Sequence, residues 1–126
     1  MSTQEHWNDE QPIYRQLRDK VIALIMEGVF PEGEAIPSVR QISIDYSINH
    51  LTVSKAYQQL VDEDLLFKKR GVGMFVSDGA QKKLISKERN KFLQQELPMM
   101  IQRMNQLGIT KDEIVEILEN NNKDNS

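Results

Sequence analysis

Apolar residues follow two different rhythms along this chain, and the change between them is the first structural signal. Ile13, Leu17, Val21, Leu24 and Ile25 stand three and four apart, which places them on one stripe of a helix. Pro12 suits the opening of that helix because its fixed φ fits a first turn. Gly28 fits a left-handed stop, and Pro31 with Gly33 keeps the helix from resuming. A short second helix follows. Ser38 is a good N-cap with Gln41 at capping-box spacing, Val39 and Ile42 face inward, and the helix ends near Tyr46. After the tight connection Ser47-Ile48-Asn49, Asn49 caps a third helix whose inner face is Val53, Ala56, Tyr57 and Leu60. Two helices joined by so short a turn have the outline of a helix-turn-helix.

The period then changes. Leu66-Phe67-Lys68-Lys69 and Met74-Phe75-Val76 predict two short strands around the hairpin Arg70-Gly71-Val72-Gly73. From about Lys83 the pattern is helical again, with Leu93, Leu97, Met100, Ile101, Met104 and Leu107 in one broad stripe ended by Gly108. Pro98 lies inside that stripe and is expected to kink or split the helix, since it lacks a backbone donor and crowds the turn before it. Thr110 and Glu113 match a capping box with Ile109 and Ile114 at the staple positions, and Ile114, Ile117 and Leu118 give the last helix its apolar face. The expected fold is mainly α (α+β). A polar tail over 1–11 precedes a winged helix-turn-helix over 12–78 with a two-stranded wing. A two-helix region over 79–119 and a polar, disordered tail over 120–126 complete it. Two helices of that size cannot bury both faces alone, so the stripe from Leu93 to Leu118 predicts pairing with a second copy.

Composition narrows the class. Hydrophobic residues make up 39% and charged residues 28%, ordinary for a globular chain and too apolar for wholesale disorder. No apolar run approaches the roughly 20 residues needed to cross a bilayer, and Met1 to Gln11 reads as neither a signal nor a transit peptide. Without cysteine there is no disulfide framework or thiolate metal site, which fits a cytoplasmic protein. The formal charge of −3 is unevenly spread: residues 1–35 hold three basic and seven acidic side chains, whereas residues 36–77 hold five and four. The acidity therefore sits mainly in the tail and first helix, which leaves a DNA-binding face permissible.

No catalytic constellation emerges. His6 and His50 are the only histidines and stand at no metal-ligand spacing, Asp62 and Glu63 read as solvated charge at a helix end, and Met99, Met100 and Met104 suit a core or interface. Neither an enzyme activity nor a cofactor is expected. Trp7 can pack on the domain or on a partner, and the pattern does not decide.

The polar residues at the third helix offer a different chemistry. The first turn of a recognition helix points short polar side chains at base edges in the major groove, and here Asn49, His50, Thr52 and Ser54 are left on the outer side with Lys55 a step further. Arg40, two residues past the cap Ser38, opposes the helix dipole unless a phosphate docks there; the alternative is a surface salt bridge to Asp45 or Glu34. Lys68, Lys69 and Arg70 precede Gly71-Val72-Gly73, which lets backbone approach a sugar-phosphate wall. Three such contacts would give a slope of about −2.7 in log K against log salt. Residues 70–76 superficially match an RNA-recognition motif, but Val72 and Met74 replace its stacking aromatics.

These blocks resemble the GntR family of bacterial regulators. Pro12-Ile13-Tyr14-Arg15-Gln16-Leu17 is similar to its opening PxYxQL, and Ile36-Pro37-Ser38-Val39-Arg40 to its LPSxRxLA signature. Thr52-Val53-Ser54-Lys55-Ala56-Tyr57-Gln58-Gln59-Leu60 resembles its TVxxAYxxL recognition helix, and residues 70–76 its RGxGxFV wing. Only two helices follow, which looks like the short YtrA type. The resemblance implies a homodimeric repressor of double-stranded DNA on a pseudo-palindromic operator, in that branch often of an ABC-transporter operon. By position it implies DNA contacts from Arg40, Asn49, His50, Thr52, Ser54 and Gly71, to which the reading of the helix starts and the basic hairpin adds Ser38, Lys55, Lys69, Arg70, Val72 and Gly73. The dimerisation expected of the C-terminal stripe runs through Leu93, Leu97, Met100, Ile101, Met104, Leu107, Ile114, Ile117 and Leu118. No effector follows from the resemblance. Ser47 and Asp64 stand where the family commonly has glycine, and His50-Leu51 where this branch commonly has Pro-Asn, which bears on operator sequence. Two other readings stay open: a winged-helix module for protein contacts, and a shortened aminotransferase-type regulator, for which no lysine-centred cofactor motif is present.

Overall fold

The first apolar stripe folds as helix α1 (Ile13–Met26), burying Leu17, Val21 and Ile25. A computed structural model describes Trp7 and residues 10–125; the rest of the N-terminal tail, His6 included, and Ser126 lie outside the described residues. The chain divides into two compact units, residues 1–86 and 87–126.

In the first unit α1 is followed by α2 (Val39–Tyr46) and α3 (His50–Asp62), then strands β1 (Leu66–Lys69) and β2 (Gly73–Val76). The expected inner face of α3 is buried in full: Val53, Ala56, Tyr57 and Leu60 join Leu17, Val21, Ile25, Ile42 and Ile48 in one core with Leu65, Leu66 and Val76. The strands pair antiparallel with Phe67 opposite Phe75 and Lys69 opposite Gly73. Residues 33–36 line the other edge of β2. Gly33 N–H donates to the Val76 carbonyl at 2.8 Å, and Ile36 N–H donates to the Met74 carbonyl at 2.9 Å. This clamp between distant segments fixes the wing's base against the start of α2.

Both positions where glycine is common are left-handed. Ser47 closes α2 at φ 54°, and Asp64 follows α3 at φ 61°. A Cβ in that region costs about 1 kcal/mol. Ser47→Gly and Asp64→Gly are each expected to raise unfolding free energy by about that amount in urea titrations, with unchanged slope.

Helix α4 (Ala80–Lys91) begins earlier than the apolar pattern indicates, because side chains distant in sequence hold its start. The Glu32 carboxylate accepts from Gln81 N–H at 2.9 Å, the Gln81 amide donates to the Met26 carbonyl at 2.9 Å, and Lys83 Nζ donates to the Glu63 carbonyl at 2.8 Å. Hydrogen bonds from backbone Gly79 and then Gln81 hold the Glu32 carboxyl below the usual carboxylate range. Ala80 and Leu84 belong to the core of the first unit, which runs to residue 86. Trp7 also packs on this domain, half-buried and edge-on to Tyr46 with ring centroids 6.3 Å apart.

In the second unit, residues 92–96 make one π-helical turn, and α5 (Leu97–Gln106) and α6 (Lys111–Asn125) follow. Pro98 does not split the helix. The wide turn ahead of it, in which Leu97 N–H reaches the Phe92 carbonyl, carries the register that a proline ring disrupts in a regular α-helix. The Thr110–Glu113 capping box forms in both directions, at 3.0 and 3.2 Å. Helix α6 then runs to Asn125, past Asn120 where the sequence pattern places a polar, disordered tail. Among the described residues, none from 85 to 123 is buried, although Leu93, Met100, Ile101, Leu107, Ile117 and Leu118 are among them.

Candidate nucleic-acid interface

The outer side of α3 starts from its cap. Asn49 Oδ1 accepts from Leu51 N–H at 2.8 Å, which aims the first turn outward. His50 and Ser54 are exposed and Thr52 is half-exposed, while Val53 and Tyr57 turn inward. The expected recognition residues are thus brought together on one accessible face.

The start of α2 lies beside that face. Ser38 Oγ accepts from Gln41 N–H at 3.0 Å, but the Gln41 amide donates to Asp45 at 2.7 Å, so this capping box closes in one direction only. Arg40 is exposed, and among the described residues it pairs with neither Asp45 nor Glu34, whereas Arg18 pairs with Asp19 and Glu63. Tyr57 Oη donates to the Pro37 carbonyl at 2.7 Å and so ties α3 to the approach of α2. Burial pushes its phenol pKa up, which keeps it a donor. The apolar spacing of α3 places Tyr57 in the core and gives no sign of this bond. A buried tyrosine where phenylalanine would pack as well was the available signal.

The wing completes the surface. Gly71 has φ 77° and Gly73 φ 144°, and between them Val72 is 71% exposed at the tip. Phe67 and Phe75 stack across the strands at 5.6 Å with Lys69 Nζ 4.6 Å from the Phe75 ring. Side chains alternate along a strand, so Lys68 turns to the other side. There it lines a cleft of about 350 Å³ with Ser38, Ser54, Gln58 and Met74, between the wing, α2 and α3. Strand alternation thus separates Lys68 from Lys69, so the cations before the hairpin do not all share one side. Lys55 also departs from the reading turn: its Nζ lies 4.0 Å from the centre of the Tyr14 ring on α1. No group of three or more His, Asp or Glu residues that could hold a metal occurs among the described residues. Among them, no helix is long and apolar enough to cross a membrane.

A polar helix face flanked by a capped helix start and a glycine-tipped hairpin defines the winged helix-turn-helix class of DNA-binding proteins. The profile of the bacterial regulatory proteins of the gntR family matches residues 13–76, and the chain belongs to this family of DNA-binding transcription regulators, many of them repressors. It is 26% identical over 110 residues to the HTH-type transcriptional regulator YhcF of Bacillus subtilis, covering 87% of this chain and 89% of YhcF. Over 74 residues it is 35% identical to the repressor YtrA of the same organism, covering 59% of this chain and 57% of YtrA. A GntR-family regulator from Bacteroides thetaiotaomicron superposes with a TM-score of 0.71 at 30% identity, over 91% of this chain and all of the other. The DNA-binding domain of AraR in complex with operator ORE1 superposes with a TM-score of 0.52 at 26% identity, over 60% and 94% of the two chains. These relatives are regulators, not enzymes.

Proposed function

We propose that the protein is a cytoplasmic repressor that binds a pseudo-palindromic operator as a homodimer. The observation that carries this reading is the exposed turn from Asn49 to Ser54, set between the capped start of α2 and the glycine-tipped wing. Asn49, His50, Thr52 and Ser54 address base edges, because amide, imidazole and hydroxyl groups match the donor and acceptor pattern of the major groove. Ser38, Arg40, Lys55, Lys68, Lys69 and Arg70 with Gly71, Val72 and Gly73 hold the backbone. The apolar faces of the second unit, from Leu93 to Leu118, supply the dimer seam, since no residue there is buried within one chain. The likeness to the YtrA type makes an ABC-transporter operon the first target to examine.

Genome-wide DNA capture with purified protein tests the reading. Captured fragments are expected to share a two-fold site, and affinity for it to fall with salt by about 0.9 log units per log unit for each phosphate contacted. Fragments with no common site and no salt dependence would favour the protein-contact module instead.

A further inference from the structure

A helix with its side chains is about 10–12 Å across and the major groove about 12 Å wide, so a helix lying in that groove meets both walls. On α3 the two flanks are distinct. Ser54 and Gln58 line the wing-side cleft. One residue later, a turn of about 100° carries Lys55 and Gln59 to the opposite flank, where Lys55 covers Tyr14 and Gln59 lines a second, polar cleft with Arg15. Arg18 contacts the two nearby acids, Asp19 at 3.2 Å and Glu63 at 2.6 Å, and offsets one of their two charges; with Arg15 and Lys55 counted, the flank keeps a net positive charge. Arg15 and Lys55 take part in no ion pair among the described residues.

We propose that this flank, made by Tyr14 and Arg15 of α1 with Lys55 of α3, grips phosphates of the strand opposite the one held by the wing. The proposal rests on the DNA-binding reading above and extends it to a part of the chain outside the helix-turn-helix and wing. The Tyr14 ring holds the Lys55 ammonium in place before DNA arrives, which reduces the ordering needed on binding. The same surroundings already favour negative charge: a hydrogen bond from Arg15 lowers the Tyr14 phenol pKa, desolvation works against it, and the Lys55 ammonium adds to the lowering.

The test uses a labelled duplex retrieved by the capture experiment and a scrambled duplex of equal length, with affinity followed by anisotropy from 0.05 to about 0.3 M salt. For the double variant Arg15→Gln, Lys55→Gln the slope of log K against log salt is expected to flatten by about 1.8, two phosphates at 0.9 each. Referred to 1 M salt, that is a loss of about 60-fold in affinity at 0.1 M. The loss should be equal on both duplexes, with unchanged thermal midpoint and mass. A double variant with the parent's slope overturns the proposal while leaving the DNA-binding reading intact. A parent protein without salt-dependent binding overturns both.

Discussion

Ile101→Asp and Leu118→Asp are each expected to leave a folded monomer that binds its operator about four to five orders of magnitude more weakly than the parent, on the order of half the binding free energy. The side chains are 45% and 56% exposed within one chain, so neither change creates a hole in the fold. In a two-fold seam each substitution appears twice, and each adds an unpaired carboxylate to an apolar contact. The affinity loss follows from division of the binding energy. A dimer held near 10⁻⁹ M gains about 12 kcal/mol from two half-sites, so one head alone keeps about 6 kcal/mol and binds at roughly tens of micromolar. Light scattering reads the mass and anisotropy the affinity. Dimers in both variants would remove the seam from α5 and α6.

Where the fold was legible in the sequence, the controlling interactions span three or four residues. The Asn49 cap, the Thr110–Glu113 box and the buried stripe of α3 depend on spacing within one turn, and they form as the pattern indicates. The left-handed conformations of Ser47 and Asp64 were legible for another reason: a resemblance in which glycine is common marks a backbone need that the replacement must still meet.

What stayed hidden depends on residues brought together across the chain. Glu32 and Gln81 set the first turn of α4 although 49 positions separate them. Lys55 leaves the reading turn because Tyr14, 41 positions earlier by the sequence numbering, offers its ring. The edge formed by residues 33–36 on β2 has no periodic signature, as the pairing uses backbone groups alone. Gln41 shows the same limit at short range. Its spacing permits a reciprocal cap, but Asp45 one turn further offers a charged acceptor and takes the amide.

Arg40→Ala and Thr52→Ala are expected to weaken operator binding in two different ways, and the difference separates backbone grip from sequence reading. Arg40 stands in the first turn of α2, next to amides that Ser38 caps only in part, and its guanidinium has no acidic partner among the described residues. A charge-assisted contact to phosphate is worth about 1.5–3 kcal/mol, so the alanine variant should lose about tenfold to a hundredfold in affinity. That loss should be equal on operator and scrambled duplex, with the salt slope flattened by about 0.9. In the proposed complex Thr52, one turn from the Asn49 cap, faces the groove with its hydroxyl and methyl on a base, so its loss of about 1–2 kcal/mol should fall on the operator alone and leave the salt slope unchanged. Neither side chain is buried, so thermal midpoints should match the parent's. Unaltered operator affinity in both variants would mean that this face of the protein does not lie against DNA. An equal loss on both duplexes for Thr52→Ala would move that residue from base to phosphate and shift sequence reading to Asn49, His50 and Ser54.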